Sequence, residues 1–181
     1  MKGIDAKGQP VPDPAKEPKV DGSLINTPGG GATNWPPPSF NPETGLFYVN
    51  GKQGYSVTYL TDTDPEPQGY GGGGGGGLSE PILAALDYKT GNVAWKHKYA
   101  SGGFGNSFPG ILSTAGKLLF TGDPTGNLLA FDPASGRILW HFRTGTMVSN
   151  GPSTYMLNGS QYLLVGAGDT LFAFQLPRGE R

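Results

Sequence analysis

One pattern in the chain occurs twice and restricts the fold more than anything else in it. Leu83-Ala-Ala-Leu86-Asp87, followed by Gly91 and Trp95, returns as Leu128-Leu-Ala-Phe131-Asp132, Gly136 and Trp140, at a constant offset of 45 residues. Near the C-terminus, residues 162–165 (YLLV), 166–169 and 171–174 (LFAF) repeat the first half, with Leu128 and Leu171 43 residues apart. Around the second copy, residues 117–121 (KLLFT) and 127–131 (NLLAF) are short apolar runs. Asp123-Pro124-Thr125-Gly126 between them is a turn: proline presets φ and glycine tolerates its positive range. Residues 132–136 (DPASG) form a second turn, whose Asp132 can accept from backbone amides beyond it. Residues 137–143 (RILWHFR) then alternate polar and apolar, the period of a half-buried strand. Two tight turns make a meander, and a meander repeated every 45 residues predicts β-propeller blades.

The expected fold is therefore all-β: a partial propeller of four-stranded antiparallel sheets, in which each blade buries its faces on its neighbours. Trp95 and Trp140 hold the same place in their units and are expected to pack between blades. At this period the 181 residues make about four blades at most. A part ring leaves open blade faces, which self-association or a second set of blades would cover.

Composition agrees. The chain holds 32 glycines and 17 prolines against 15% charged residues, and no window has the pattern of a long amphipathic helix. The net charge of −1, with basic residues scattered singly, argues against a nucleic-acid partner. No apolar run approaches the length of a membrane span, and the polar sequence after Met1 has no signal-peptide pattern. With no cysteine, thiol chemistry is excluded. The two histidines, His97 and His141, follow tryptophans in alternating strands, where solvent-facing positions are expected, and no metal-ligand spacing is visible.

Taken in order, residues 1–25 form a proline-rich arm or partial blade, in which residues 6–12 (AKGQPVP) suit a turn between two short strands. Residues 26–60 hold a loop (NTPGGGATNWPPP) and then a first blade. Residues 61–78, acidic and ending in seven glycines, read as a flexible insertion; the tract lacks the Lys-Ser/Thr and the following helix of a phosphate-binding loop. Residues 79–181 are the tryptophan-bearing blades.

The units LAALDYKTGNVAW and LLAFDPASGRILW, with FPGILSTAGKLLFTG ahead of the second, resemble the tryptophan-docking repeats of the quinoprotein dehydrogenases. These are the PQQ-dependent alcohol and glucose dehydrogenases, built on an eight-bladed propeller. GGGATNWPPPSFNPETGLFYV resembles the glycine–glycine–x–Asn–Trp segment of that family and the blade after it, so the likeness runs in order along nearly the whole chain outside the glycine tract. It implies the C-terminal half of the propeller. It also implies PQQ in an axial funnel, held with Ca²⁺ or a lanthanide, and oxidation of an alcohol, polyol or sugar hydroxyl by hydride transfer to the quinone. Asn34 matches the asparagine that hydrogen-bonds the quinone, and Trp35 follows it; read without the family, Asn34 is a loop residue stabilising the bend at residues 29–31 sooner than a ligand contact. Phe108 stands where the family has a tryptophan facing the pocket, which keeps an aromatic wall and loses the indole N–H. Gly166-Ala167-Gly168-Asp169 replaces the closing Gly-Trp-Gly of the alcohol-oxidising branch and leans towards sugars or polyols. The family's metal ligands, catalytic Asp and stacking Trp have no counterpart here. The implied partners are an N-terminal propeller half or a second copy, and the implied compartment is the periplasm. The competing reading is a non-catalytic propeller module for binding or assembly.

Overall fold

The computed structural model describes residues 2–26, 31–60, 73–100 and 108–176. It contains β1 (Gly3–Ile4), β2 (Pro10–Val11), β3 (Ser23–Ile25), β4 (Ser39–Asn41), β5 (Leu46–Tyr59), β6 (Gly73–Asp87), β7 (Val93–Lys98) and β8 (Leu112–Ser113). There follow β9 (Leu119–Gly122), β10 (Asn127–Phe131), β11 (Ile138–Arg143), β12 (Ser153–Leu157), β13 (Ser160–Ala167) and β14 (Thr170–Gln175). The only helical element among the described residues is one 3₁₀ turn, Pro14–Lys16, capped by the Asp13 carboxylate. The chain falls into two compact units, one of residues 1–32 and 53–79, the other of residues 33–52 and 80–181.

Among the described residues the larger unit holds three blade sheets, whose paired strands run antiparallel. The first consists of β4, the start of β5, the end of β6, and β7. The second is β8-β9-β10-β11 in chain order, the meander read from the turns. The third is β12-β13-β14. Three sheets of blade type thus stand within the limit of four set by the repeat length.

Strand β10 shows why its sequence is a continuous apolar run rather than an alternation. Leu129 and Phe131 enter one core with Leu46, Tyr48, Leu83, Ala85 and Leu119, which lie in the first and second blades. Leu128 enters another with Val148, Leu163, Val165 and Ala167, towards the third. Both faces of the strand are covered, so both must be apolar. The outer strand β11 behaves differently. Its alternation predicts a half-buried strand, yet all six residues are exposed. It lies at the edge of its sheet, and Trp140 and Phe142 cover only part of one face, against Phe172 and Phe174.

The repeat in sequence is a repeat in hydrogen bonding. Asp87 Oδ1 accepts from the amides of Lys89 and Thr90, at 3.0 and 2.8 Å. Asp132 Oδ1 accepts from those of Ala134 and Ser135, at 2.8 and 3.1 Å. Gly91 and Gly136 close the two turns at φ +71° and +70°, where a side chain is strained. Both carboxyls are held below their ordinary range, chiefly by the Thr90 amide for Asp87 and the Ser135 amide for Asp132. Each repeat also carries a register shift at the same place, after Ala85 and after Ala130.

In the smaller unit, β1 and β2 pair as a hairpin around the turn that follows Asp5, as residues 6–12 suggest. Strand β3 pairs with residues 56–58 of β5. Of the segment expected as a flexible insertion, residues 61–72 lie outside the described residues, and residues 73–78 are strand, the start of β6. Here glycine serves close approach: a Cβ on Gly77 would collide with the Tyr55 carbonyl, and one on Gly54 with that of Leu78.

Candidate functional site

Three loops, each entering the first strand of a blade, meet in the larger unit. They are the segment before β4, the segment before β8 and the segment before β12. A Cβ built on Gly110 would lie 2.7 Å from Gly151 Cα and 2.8 Å from Pro37 Cγ, so only glycine fits where the three converge. The Ile111 amide donates to the Pro37 carbonyl at 3.0 Å. Beside this junction β4 and β8 are stitched together: the Ser39 and Ser113 hydroxyls are 2.8 Å apart, and Ser113 Oγ also donates to the Phe40 carbonyl at 3.1 Å.

Below the junction lies a buried polar cluster. Asn50, on β5, donates from Nδ2 to the Pro109 carbonyl at 3.0 Å and to Thr121 Oγ1 at 2.8 Å. Its Oδ1 accepts from the Tyr99 hydroxyl at 2.8 Å. Thr121 Oγ1 in turn donates to the Gly110 carbonyl at 3.1 Å. Burial pushes the Tyr99 hydroxyl far above the ordinary tyrosine value, and the Asp123 carboxylate adds to the effect, so Tyr99 remains a neutral donor. Sequence reading missed this cluster; its only signal was a set of polar residues at the ends of apolar strands.

The residues expected at a cofactor site take different positions around the junction. Asn34 is exposed, and its Oδ1 accepts from the Trp35 amide at 2.8 Å. That bond leaves the Nδ2 amide of Asn34 without a hydrogen-bonding partner among the described residues. The supporting role considered for Asn34 towards residues 29–31 falls largely outside the description, since residues 29 and 30 are not described. Trp35 is 66% exposed and presents its ring to solvent. Phe108 is only 4% exposed and belongs to the core between the first and second blades, with the Lys52 ammonium 5.7 Å from its ring centroid. Gly166 and Asp169 flank the end of β13, whose Gly166 carbonyl accepts from the Ser149 amide at 3.2 Å.

The tryptophans sort unequally. Trp95 Nε1 donates to the Pro133 carbonyl at 2.9 Å, in the turn of the following blade, and its ring stacks on Phe131 at 6.5 Å. Trp140 meets Phe174 edge-on at 5.5 Å, the same pairing one repeat later, but is 40% exposed. His141 is exposed as expected. His97 is not: it is half-buried against Phe131 and Tyr99, because it shares the inward face of β7 with Trp95. Burial lowers its pKa, and Asp123 works against that shift.

Among the described residues no group of three or more His, Cys, Asp or Glu side chains is placed to hold a metal ion. No helix among them is long and apolar enough to cross a membrane. What the geometry can offer a flat, oxygen-bearing cofactor is an exposed amide donor, an exposed indole face and a rigid junction behind them.

Fold and junction define a set of propeller blades whose loops gather at one end. Comparison with known proteins says which propeller they resemble. Residues 82–163 match the model of the glucose/ethanol/alcohol dehydrogenase β-propeller domain of PQQ enzymes. The chain is 32% identical over 179 residues to the quinoprotein alcohol dehydrogenase PedH of Pseudomonas putida, covering 92% of this chain and 29% of that protein. It is 37% identical over 186 residues to the quinohemoprotein alcohol dehydrogenase of Comamonas testosteroni, covering 92% of this chain and 25% of that protein. The solved structure of the quinohemoprotein alcohol dehydrogenase ADHIIG from Pseudomonas putida HK5 superposes with a TM-score of 0.77 at 27% identity, over 94% of this chain and 28% of that one. The chain is therefore similar, in sequence and in structure, to part of the propeller of PQQ-dependent alcohol dehydrogenases. It spans less than a third of the length of these relatives.

Proposed function

We propose that this chain is the C-terminal part of the propeller of a PQQ-dependent dehydrogenase that oxidises an alcohol, polyol or sugar hydroxyl, and that it requires the remaining blades for activity. The observation that carries this reading is the junction at Gly110, which gathers three blade-entry loops at one end of a segment matched to PQQ dehydrogenases. Bound PQQ would supply the hydride acceptor, with Ca²⁺ or a lanthanide beside it. The residues of this chain would bind and orient. Asn34 Nδ2 would donate to a carbonyl oxygen of the cofactor, since its Oδ1 is already taken by the Trp35 amide. The exposed Trp35 ring would provide a stacking face. Phe108, buried, would back the wall rather than face the ligand. The proton-accepting carboxylate and the metal ligands would come from the complementary blades, which would also cover the apolar faces left at the ends of this segment. The periplasm is the compartment this reading implies.

Calorimetric titration with PQQ and Ca²⁺, on the chain alone and mixed with a complementary N-terminal propeller fragment, tests the proposal. Uptake of PQQ by the mixture supports it, and no uptake in either sample rejects it. The alternative is a non-catalytic propeller module for binding or assembly. Dye reduction by the mixture with PQQ, Ca²⁺ and an alcohol or sugar would eliminate that alternative.

A further inference from the structure

From the hydrogen bonds around Asn50 we infer that this residue is the positioning residue for both segments that carry the candidate cofactor contacts. The inference rests on the functional reading above, but its geometry stands apart from it. Asn50 is buried, and its Nδ2 bonds reach from the first blade to the second. Its Nδ2 grips the Pro109 carbonyl, next to Phe108, and Thr121 Oγ1 in the second blade. Thr121 passes the hold on to the Gly110 carbonyl. On the other side, the backbone carbonyl of Asn50 accepts from Thr33 Oγ1 at 3.0 Å, one residue before Asn34. The two segments are then joined to each other by the bond from the Ile111 amide to the Pro37 carbonyl. One asparagine thus touches the loop bearing Asn34 and Trp35 and the loop bearing Phe108, while Tyr99 fixes its amide orientation by donating to Oδ1.

The side chain holds the Phe108 loop, whereas the Thr33 end is held by the main-chain carbonyl, which any residue at this position keeps. Aspartate at this position keeps the acceptor for Tyr99 but sets a charged oxygen against the Pro109 carbonyl. Leucine fills similar space and leaves the Pro109 carbonyl and the Tyr99 hydroxyl unpaired in a buried site, the costly case. Asn50 itself touches no ligand in this account; it acts through the loops.

The experiment is amide hydrogen exchange on the full chain for wild type, Asn50→Leu, Asn50→Asp, Thr121→Val and Thr121→Ser, with PQQ uptake by the reconstituted mixture measured in parallel. The expected result is exchange at the Ile111 amide faster by about tenfold in Asn50→Leu, Asn50→Asp and Thr121→Val, as for the loss of a buried hydrogen bond. The Leu129 and Ala130 amides stay protected, and Thr121→Ser behaves as wild type. Weakened PQQ uptake by the same three variants, with Thr121→Ser again unaffected, supports the positioning role. Wild-type exchange at Ile111 in Asn50→Leu overturns the inference, as does loosening spread evenly over β9 and β10. If Asn50→Leu does not fold, the contrast between Thr121→Val and Thr121→Ser decides. If wild type takes up no PQQ, the functional reading falls, while the exchange pattern still decides whether Asn50 holds the two loops.

Discussion

Trp95→Phe isolates one hydrogen bond in the joint between the first and second blades. The indole N–H donates to the Pro133 carbonyl at 2.9 Å, and Tyr48 Oη donates to the same carbonyl at 3.0 Å. Phenylalanine keeps an aromatic ring against Phe131 and removes only the N–H. Because Tyr48 still satisfies Pro133, no buried acceptor is orphaned, and the loss stays near the net worth of one hydrogen bond, about 1 kcal/mol. In a chain of this size that lowers Tm by about 2–4 °C. Trp95→Ala also removes the ring from the core; Trp95 is only partly buried, so the cost falls towards the lower end of the range of about 3–5 kcal/mol for such truncations. The internal control is Trp140→Phe, at the matching place one repeat on, where the ring is 40% exposed and no described residue accepts from its N–H. That change is expected to leave Tm nearly unmoved. Melting followed by circular dichroism measures all three. Equal losses for Trp95→Phe and Trp140→Phe would refute the reasoning, because they would show that the Pro133 bond is not what distinguishes the two sites.

Three further outcomes follow from the same geometry. Gly91→Ala and Gly136→Ala share the strain of a positive φ, about 1 kcal/mol. Only Gly136→Ala also drives a Cβ to 2.5 Å from Trp95 Cε3, so it should destabilise clearly more in urea unfolding. The pKa of His97 is lowered by folding, so the unfolded chain binds its proton more readily. Stability from this group is therefore present above its ordinary value of 6.5 and is lost as pH falls through and below it; His97→Gln should flatten that part of a pH–Tm profile. Asp87 and Asp132 are also depressed, so their contribution is present above the ordinary carboxylate value of 3.8 and lost below it. The double change to Asn should weaken the acid-side fall in the same profile.

The blades were legible in the sequence because their turns are written in residue types with local meanings. Asp87 and Asp132 cap their turns, Gly91 and Gly136 take positive φ, and β10 reads apolar throughout because it is covered on both sides. Three things were not legible, each because tertiary packing overrides local pattern. His97 looked solvent-facing from alternation alone, but the inward face of its strand meets Phe131. A glycine run has no side-chain period, so nothing in it could announce the start of β6. The cluster around Asn50 joins residues 49, 59 and 71 positions apart in the chain, and each looks unremarkable alone. For the candidate site, the sequence pointed to Asn34, Trp35 and Phe108, while the burial of Phe108 came only with the fold.

The proposed function makes these blades part of a PQQ dehydrogenase whose proton-accepting and metal-binding groups lie elsewhere. It is tested most directly by PQQ-dependent reduction of an artificial electron acceptor, with an alcohol or sugar and Ca²⁺, by the chain alone and by the chain reconstituted with complementary blades. The account predicts reduction by the reconstituted propeller, less of it with Asn34→Leu, and none by the chain alone. Turnover by the chain alone, or none by a reconstituted propeller that has taken up PQQ, would contradict it.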